Sequence, residues 1–171
     1  CGVCYTGFQN SSHFRNTGSR RSLLLLVFGG ALLLRLLLAY TTHGFSNEIA
    51  CFTDWADRIF TLGPGQFYSA EMFTDYPPGF MYVLYLIGAL RSLLQIPYYS
   101  DLHILLLKLP AILCDIACGF LLYREAVKRL HFSDLQGIFA ASAYLFQPAV
   151  ILNSSCWGQV DSVYTLMIIL M

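Results

Sequence analysis

The chain has 171 residues, of which 57% are hydrophobic and 12% charged, with a formal net charge of +0 and a mean hydropathy of +0.60. That charged share is roughly half the ~25% of an average soluble domain, which excludes an ordinary soluble globule and predicts an integral membrane protein. No basic face or nucleic-acid motif accompanies the balanced charge, so no nucleic acid is expected as a partner.

Residues 1–21 are polar, carry Arg15, Arg20 and Arg21, and read as a loose cytoplasmic tail. The run SLLLLVFGGALLLRLLLAY (22–40) is long enough to cross a bilayer as a helix. A cleaved signal peptide is the rival, but the run exceeds an apolar core of about 7–15 residues and no small-residue cleavage site follows it. With Arg20 and Arg21 at its front, its start belongs inside and residue 41 outside. The following stretch, 41–78, carries Glu48, Asp54, Asp57, Glu71 and Asp75 against Arg58 alone, which suits an external loop, taken here as 41–103. The runs 104–123 (ILLLKLPAILCDIACGFLLY) and 137–153 (GIFAASAYLFQPAVILN) predict two more membrane helices. Between them, 124–136 holds Arg124, Lys128 and Arg129 and belongs in the cytoplasm. A last apolar run, 162–171, falls short of a span, so the chain reads as the front part of a longer protein.

The segment 79–94 (GFMYVLYLIGALRSLL) decides the topology by parity. If it spans, the basic loop lies outside and WGQVDS (157–162) falls opposite the first acidic loop. If it lies in the outer interface, the basic loop returns inside and both acidic motifs share the external face. Its length makes only about 24 Å of helix, and the charge rule favours the second arrangement.

Carboxylates held against a membrane are costly and mark function. Glu48, in NEIACFTDWADR (47–58), and Asp161, in WGQVDS, are the leading acids, with Asp54 and Asp57 as alternatives to Glu48. Asp54 and Arg58 are also spaced to pair on one helix face, and Asp161 suits a helix N-terminus. Lys108 and Arg35, near the external ends of their helices, are candidate contacts for a lipid phosphate, although both could snorkel to the interface. Asp115 lies about two turns beyond Lys108 on nearly the same face, as a structural partner of one of these cations or as part of the pocket. Tyr76, Pro77 and Pro78 shape entry to the next segment, and Tyr76 and Gln159 are counted with the substrate-binding candidates. His43 is a lone histidine at the boundary, and Tyr82, Tyr85, Tyr98 and Tyr99 read as interface anchors. Cys1 and Cys4 make an isolated CxxC, Cys114 and Cys118 read as small packing residues, and the N-x-S patterns at Asn10 and Asn153 carry little weight. A surface carboxylate with cations at headgroup level suits transfer of a group from a lipid phosphate to an acceptor hydroxyl.

The motifs EIACFTDWA (48–56), GPGQFY (63–68), DYPPGFMYVLY (75–85), KLPAILCDI (108–116) and QPAVILNSSCWGQVDS (147–162) occur in this order. In them the chain resembles the membrane-integral glycosyltransferases of the C-type (GT-C) fold, and most of all the bacterial proteins similar to the second mannosyltransferase of the GPI-anchor pathway. The resemblance implies an all-α polytopic membrane protein, here the N-terminal part of a GT-C transmembrane module, in a bacterial plasma membrane. It implies transfer of a hexose, mannose first among candidates, from a polyprenyl-phosphate sugar to a glycan, lipid or protein acceptor. The active site would be extracytoplasmic, built on the first external loop, with part of that loop lying along the membrane. Glu48 stands where the family usually carries its catalytic Asp, keeping the charge and adding one methylene. Glu48 is then the base and Asp161 the second acid, binding acceptor or holding a divalent metal (Mg or Mn) with Glu48. Two other classes remain open. An ion-coupled transporter would show internal repeats or broken helices, which the sequence does not display, and a noncatalytic assembly subunit would fit the change at position 48.

Overall fold

The computed structural model describes the backbone of residues 6–68 and 73–171, and side chains from Gly18 onward. Cys1, Cys4 and Glu71 lie outside the described residues. The described residues form helices and no strands: α1 (Thr6–Thr41), α2 (Ser46–Leu62), a 3-10 turn (Pro64–Gln66), α3 (Pro78–Leu93), α4 (Asp101–Lys128), α5 (Asp134–Leu145), α6 (Pro148–Ile151), a π-turn (Leu152–Trp157) and α7 (Asp161–Leu170). The all-α expectation therefore holds. Two stretches, Gly18–Thr41 and Asp101–Lys128, are long and apolar enough to cross a membrane, and the bent pair Asp134–Leu145 with Pro148–Trp157 would make a third.

Helix α1 starts at Thr6, so residues 6–21 of the stretch expected as a loose tail continue the first helix backwards. Its side chains divide by spacing. Ala31, Arg35 and Ala39, four residues apart, are buried, while Leu25, Leu26, Leu33 and Leu37 stay exposed. The two alanines let α4 approach closely along this seam. Arg35 is thereby enclosed between the helices.

Helix α2 occupies the middle of what the sequence presents as an external loop. It buries Ile49, Phe52, Trp55, Ala56 and Ile59, the i, i+3, i+4 spacing of one helix face, and leaves Asp54 exposed. Pro77 is extended and Pro78 opens α3, where proline's missing N–H costs nothing. Helix α3 then packs on α2 through Phe80, Met81, Leu84, Ile87 and Gly88. A Cβ at position 88 would come within 2.4 Å of the Ala56 carbonyl oxygen, so this crossing requires glycine.

Contacts at the two ends of the bundle fix the direction of each helix. At one end the Lys108 ammonium bonds to the Ala39 and Thr42 carbonyls, His43 lies 3.4 Å from Asp101, and the rings of Phe45 and Trp157 meet. At the other end Arg20 pairs with Asp134 at 3.3 Å, and the Tyr123 hydroxyl donates to the same carboxylate. Helix α4 consequently begins where α1 stops and runs back beside it, and α5 with the π-turn returns to the first end. Helices α2 and α3 lie between the end of α1 and the start of α4, so the chain re-enters the bundle on the side where it left. The start of α2, the start of α4 and the 157–162 turn thus share one end.

The run 137–153 is not one helix. Gln147 is extended (φ −64°, ψ 121°), as expected of a residue preceding proline, and the arms on either side differ in direction by 52°. The sequence suggested no broken helix; Pro148 creates one, followed by the π-turn Leu152–Trp157. Ser133 and Gln136 form a capping box that starts α5, which moves its beginning slightly ahead of the expected residue 137.

Candidate functional site

The start of α2 and the 157–162 turn meet through side chains 111 residues apart. Gln159 donates from Nε2 to Glu48 Oε2 at 2.5 Å. Its other amide atom, Oε1, accepts from the Tyr76 hydroxyl at 3.4 Å. A phenol donor on one side and a carboxylate acceptor on the other set the sense of the Gln159 amide. Glu48, Gln159 and Tyr76, all candidates from the sequence, are thereby joined in one chain of hydrogen bonds.

Local structure explains the arrangement. Glu48 lies in the first turn of α2, where the positive end of the helix dipole favours a carboxylate. The Tyr76 ring packs against Phe52, Trp55 and Phe80, with centroids 5.1, 5.8 and 5.6 Å away. Burial, then the charges of Glu48 and Asp75, push the Tyr76 hydroxyl up to about 12, so it remains a proton donor at neutral pH. Across from it, the π-turn ends at Gly158, whose φ of +92° is in the left-handed region that glycine adopts without strain. The Gly158 and Gln159 amides both donate to the Asn153 carbonyl. The Phe45 amide donates to the Trp157 carbonyl at 3.1 Å, holding the turn against the start of α2.

Asp161 sits in the first turn of α7 and accepts from Asn153 Nδ2 at 3.1 Å. It belongs to the same end of the bundle and contributes, after Glu48, Asp75 and Tyr164, to the field acting on Tyr76. Glu48 and Asp161 are each turned toward a side-chain amide nitrogen, a hydrogen-bond donor. Among the described residues no group of three or more His, Cys, Asp or Glu is placed to hold a metal ion. The present donor set does not fit a divalent cation between Glu48 and Asp161.

The two candidate phosphate contacts are engaged inside the bundle. Lys108 is 0% exposed, and its ammonium meets four acceptors: the carbonyls of Ala39 (3.3 Å), Thr42 (2.6 Å) and Cys156 (3.3 Å), and Thr42 Oγ1 (3.1 Å). An ammonium has three N–H groups, so no donor is spare for a phosphate. Two of these carbonyls belong to the end of α1, where backbone acceptors have lost their helical partners. Lys108 acts as a cap on α1 supplied by a neighbouring helix.

Arg35 is also 0% exposed. Its Nε donates to Asp115 Oδ2 at 3.3 Å and its Nη1 to the Ala31 carbonyl. Asp115 accepts three further bonds, from Ser154 Oγ at 2.6 Å on Oδ2, and from Ser162 Oγ at 2.5 Å and Tyr144 OH at 3.3 Å on Oδ1. Each carboxylate oxygen carries two contacts, the full complement of its lone pairs. Of the two roles left open for Asp115, the geometry shows pairing with Arg35.

The alternative acids face elsewhere. Asp57 pairs with Arg91 at 2.6 Å, and Asp54 accepts from the Tyr98 hydroxyl, which that bond and burial push up to about 12. Both tie α2 to the far end of α3. Tyr98, expected as a membrane anchor, is part of this latch. A shallow depression of about 330 Å³, lined by Gly44, Phe45, Leu152, Cys156 and Trp157, opens beside the turn.

Sequence reasoning missed Ser154, Ser162, Tyr144 and Thr42, because small hydroxyls in apolar runs resemble ordinary packing residues. The signal available was Asp115 itself, since a buried carboxylate must find donors. No family profile, curated protein or solved structure matches the chain.

Proposed function

We propose that the chain is a multi-pass glycosyltransferase of the C-type fold. In this reading it transfers a hexose, mannose first among candidates, from a polyprenyl-phosphate sugar to a hydroxyl of a glycan, lipid or protein. The reaction takes place at the extracytoplasmic face of a bacterial plasma membrane. One observation carries the reading: a half-buried carboxylate, Glu48, oriented by Gln159 and Tyr76, at the end of an apolar bundle where both acidic motifs meet.

The Gln159 bond occupies Glu48 Oε2 and leaves Oε1 for a substrate. The acceptor hydroxyl donates to Oε1 and gives up its proton there as its oxygen bonds to C1 of the sugar. The bond from C1 to the phosphate oxygen breaks, and the polyprenyl phosphate departs with the bonding electrons. The Gln159 N–H holds the Glu48 carboxylate in place for the transfer.

The test is an assay of the complete protein in membranes, at matched expression, with a panel of polyprenyl-phosphate sugars. Glu48→Gln should lower kcat by about 10²–10⁴-fold, the usual worth of general acid–base catalysis. Glu48→Asp, which restores the family's residue, should retain much more activity. Turnover by Glu48→Gln equal to that of the parent would remove Glu48 as base.

The broken helix at Pro148, at the level where Tyr144 reaches Asp115, gives a second reading as an ion-coupled transporter. It is the weaker one. Asp115 has no lone pair left for an ion. Uptake of a coupling ion by reconstituted protein, abolished by Asp115→Asn, would reverse that order.

A further inference from the structure

We infer that Asp115 is a positioning residue for the turn that carries Gln159 and Asp161, acting through Ser154 and Ser162. The turn leaves the π-turn after Trp157 and enters α7 at Asp161. Its two flanks are fastened to the same carboxylate. Ser154, upstream, donates to Asp115 Oδ2 at 2.6 Å, and Ser162, downstream, donates to Oδ1 at 2.5 Å. Both serines are buried, so each hydroxyl has its bond in a site without competing water.

Asp115 is in turn held by α1. The Arg35 guanidinium meets Oδ2, which fixes the carboxylate plane. Lys108, on the same helix as Asp115, takes the Cys156 carbonyl between the two serine anchors. The buried face of α4 therefore clamps the turn at positions 154, 156 and 162, while Gln159 projects to Glu48. Gln159 is the residue least able to hold itself. Its side-chain hydrogen bonds go to Glu48 and Tyr76, both on the opposite wall, so its location depends on the turn beneath it, to which its backbone amide is tied.

Tyr144 supplies an internal control. Its hydroxyl donates to the same Asp115 oxygen as Ser162 but belongs to α5, outside the turn. Loss of any of the three hydroxyls removes a hydrogen bond to a buried carboxylate. Only loss of the serines frees the turn.

The functional consequence rests on the proposed role of Glu48, but the positioning can be read without turnover. In a full-length chain lacking its native cysteines, Glu48→Cys and Gln159→Cys are joined by a short bifunctional thiol reagent, and the rate of closure is measured. Adding Ser154→Ala with Ser162→Ala should slow closure about tenfold or more, since hydrogen bonds to charged groups are among the stronger ones. Adding Tyr144→Phe should leave the rate within about twofold. Equal rates in the serine and tyrosine variants overturn the inference. If the double serine variant does not elute as a folded species, Ser162→Ala alone is compared with Tyr144→Phe by the same criterion. Slower closure in the serine variants of a protein that shows no transferase activity upholds the positioning and rejects the transferase reading. Unchanged closure in an active enzyme does the reverse.

Discussion

Removing the Asp115 carboxylate should be among the most damaging single changes in the bundle. In Asp115→Ala the Arg35 guanidinium remains 0% exposed with only the Ala31 carbonyl as a partner, and the hydroxyls of Ser154, Ser162 and Tyr144 lose an acceptor. Breaking a buried ion pair by removing one side costs about 3–5 kcal/mol. At roughly 2–4 °C per kcal/mol for a chain of this size, that lowers the melting temperature by about 10 °C. Thermal unfolding in mild detergent reports the loss directly, because Cys118, 0% exposed on the same helix, reacts with a fluorogenic maleimide only when the bundle opens. Arg35→Met combined with Asp115→Leu removes both charges and should recover part of the loss. It should not recover all of it, because the hydroxyls of Ser162, Ser154 and Tyr144 still lose their carboxylate acceptor, although Ser154 keeps the Val150 carbonyl at 3.1 Å. A single variant that melts within a degree or two of the parent, or a double variant less stable than the single, would show that Arg35 and Asp115 do not form this pair.

Two further outcomes follow from the same geometry. Lys108→Met should lower the melting temperature while leaving the KM for a polyprenyl-phosphate donor unchanged, because the ammonium is spent on the Ala39, Thr42 and Cys156 carbonyls; a several-fold rise in KM at unchanged stability would return Lys108 to the phosphate. Burial and the nearby carboxylates push the Tyr76 hydroxyl up to about 12 from its ordinary 10.0, so its contribution to stability is complete below pH 10 and is lost as pH rises from 10 to 12. A phenolate absorbance titration should contain a late component, shared with Tyr98, that Tyr76→Phe reduces by one tyrosine; an unchanged late component in Tyr76→Phe would refute the buried placement.

How far the sequence reached depends on the length scale of each cause. Hydropathy over some twenty residues is a local sum, and it located the apolar parts of α1 and α4, Gly18–Thr41 and Asp101–Lys128. The break at Pro148 was also locally encoded, since the residue before a proline is driven from the helical region, yet an unbroken hydropathy run concealed it. Helix α2 was harder to see. Its charged residues lower the hydropathy of the segment to that of a loop, while the spacing of Ile49, Phe52, Trp55, Ala56 and Ile59 records the face that packs. Periodicity, not mean hydropathy, was the informative property there.

Side-chain partners are a different kind of quantity, because they depend on which helix ends come together. Glu48, Asp54 and Asp57 are equivalent by charge and lie within three helical turns, so local sequence cannot separate a base from a latch. Their angles around α2 do separate them. A helix advances about 100° per residue, so Asp54 and Asp57 fall on azimuths well away from that of Glu48. Asp54 meets Tyr98 and Asp57 meets Arg91, which closes α2 onto the end of α3. Glu48 faces the 157–162 turn and meets a neutral amide. Of the three acids, Glu48 is the one bonded to the 157–162 turn, where the two acidic motifs meet.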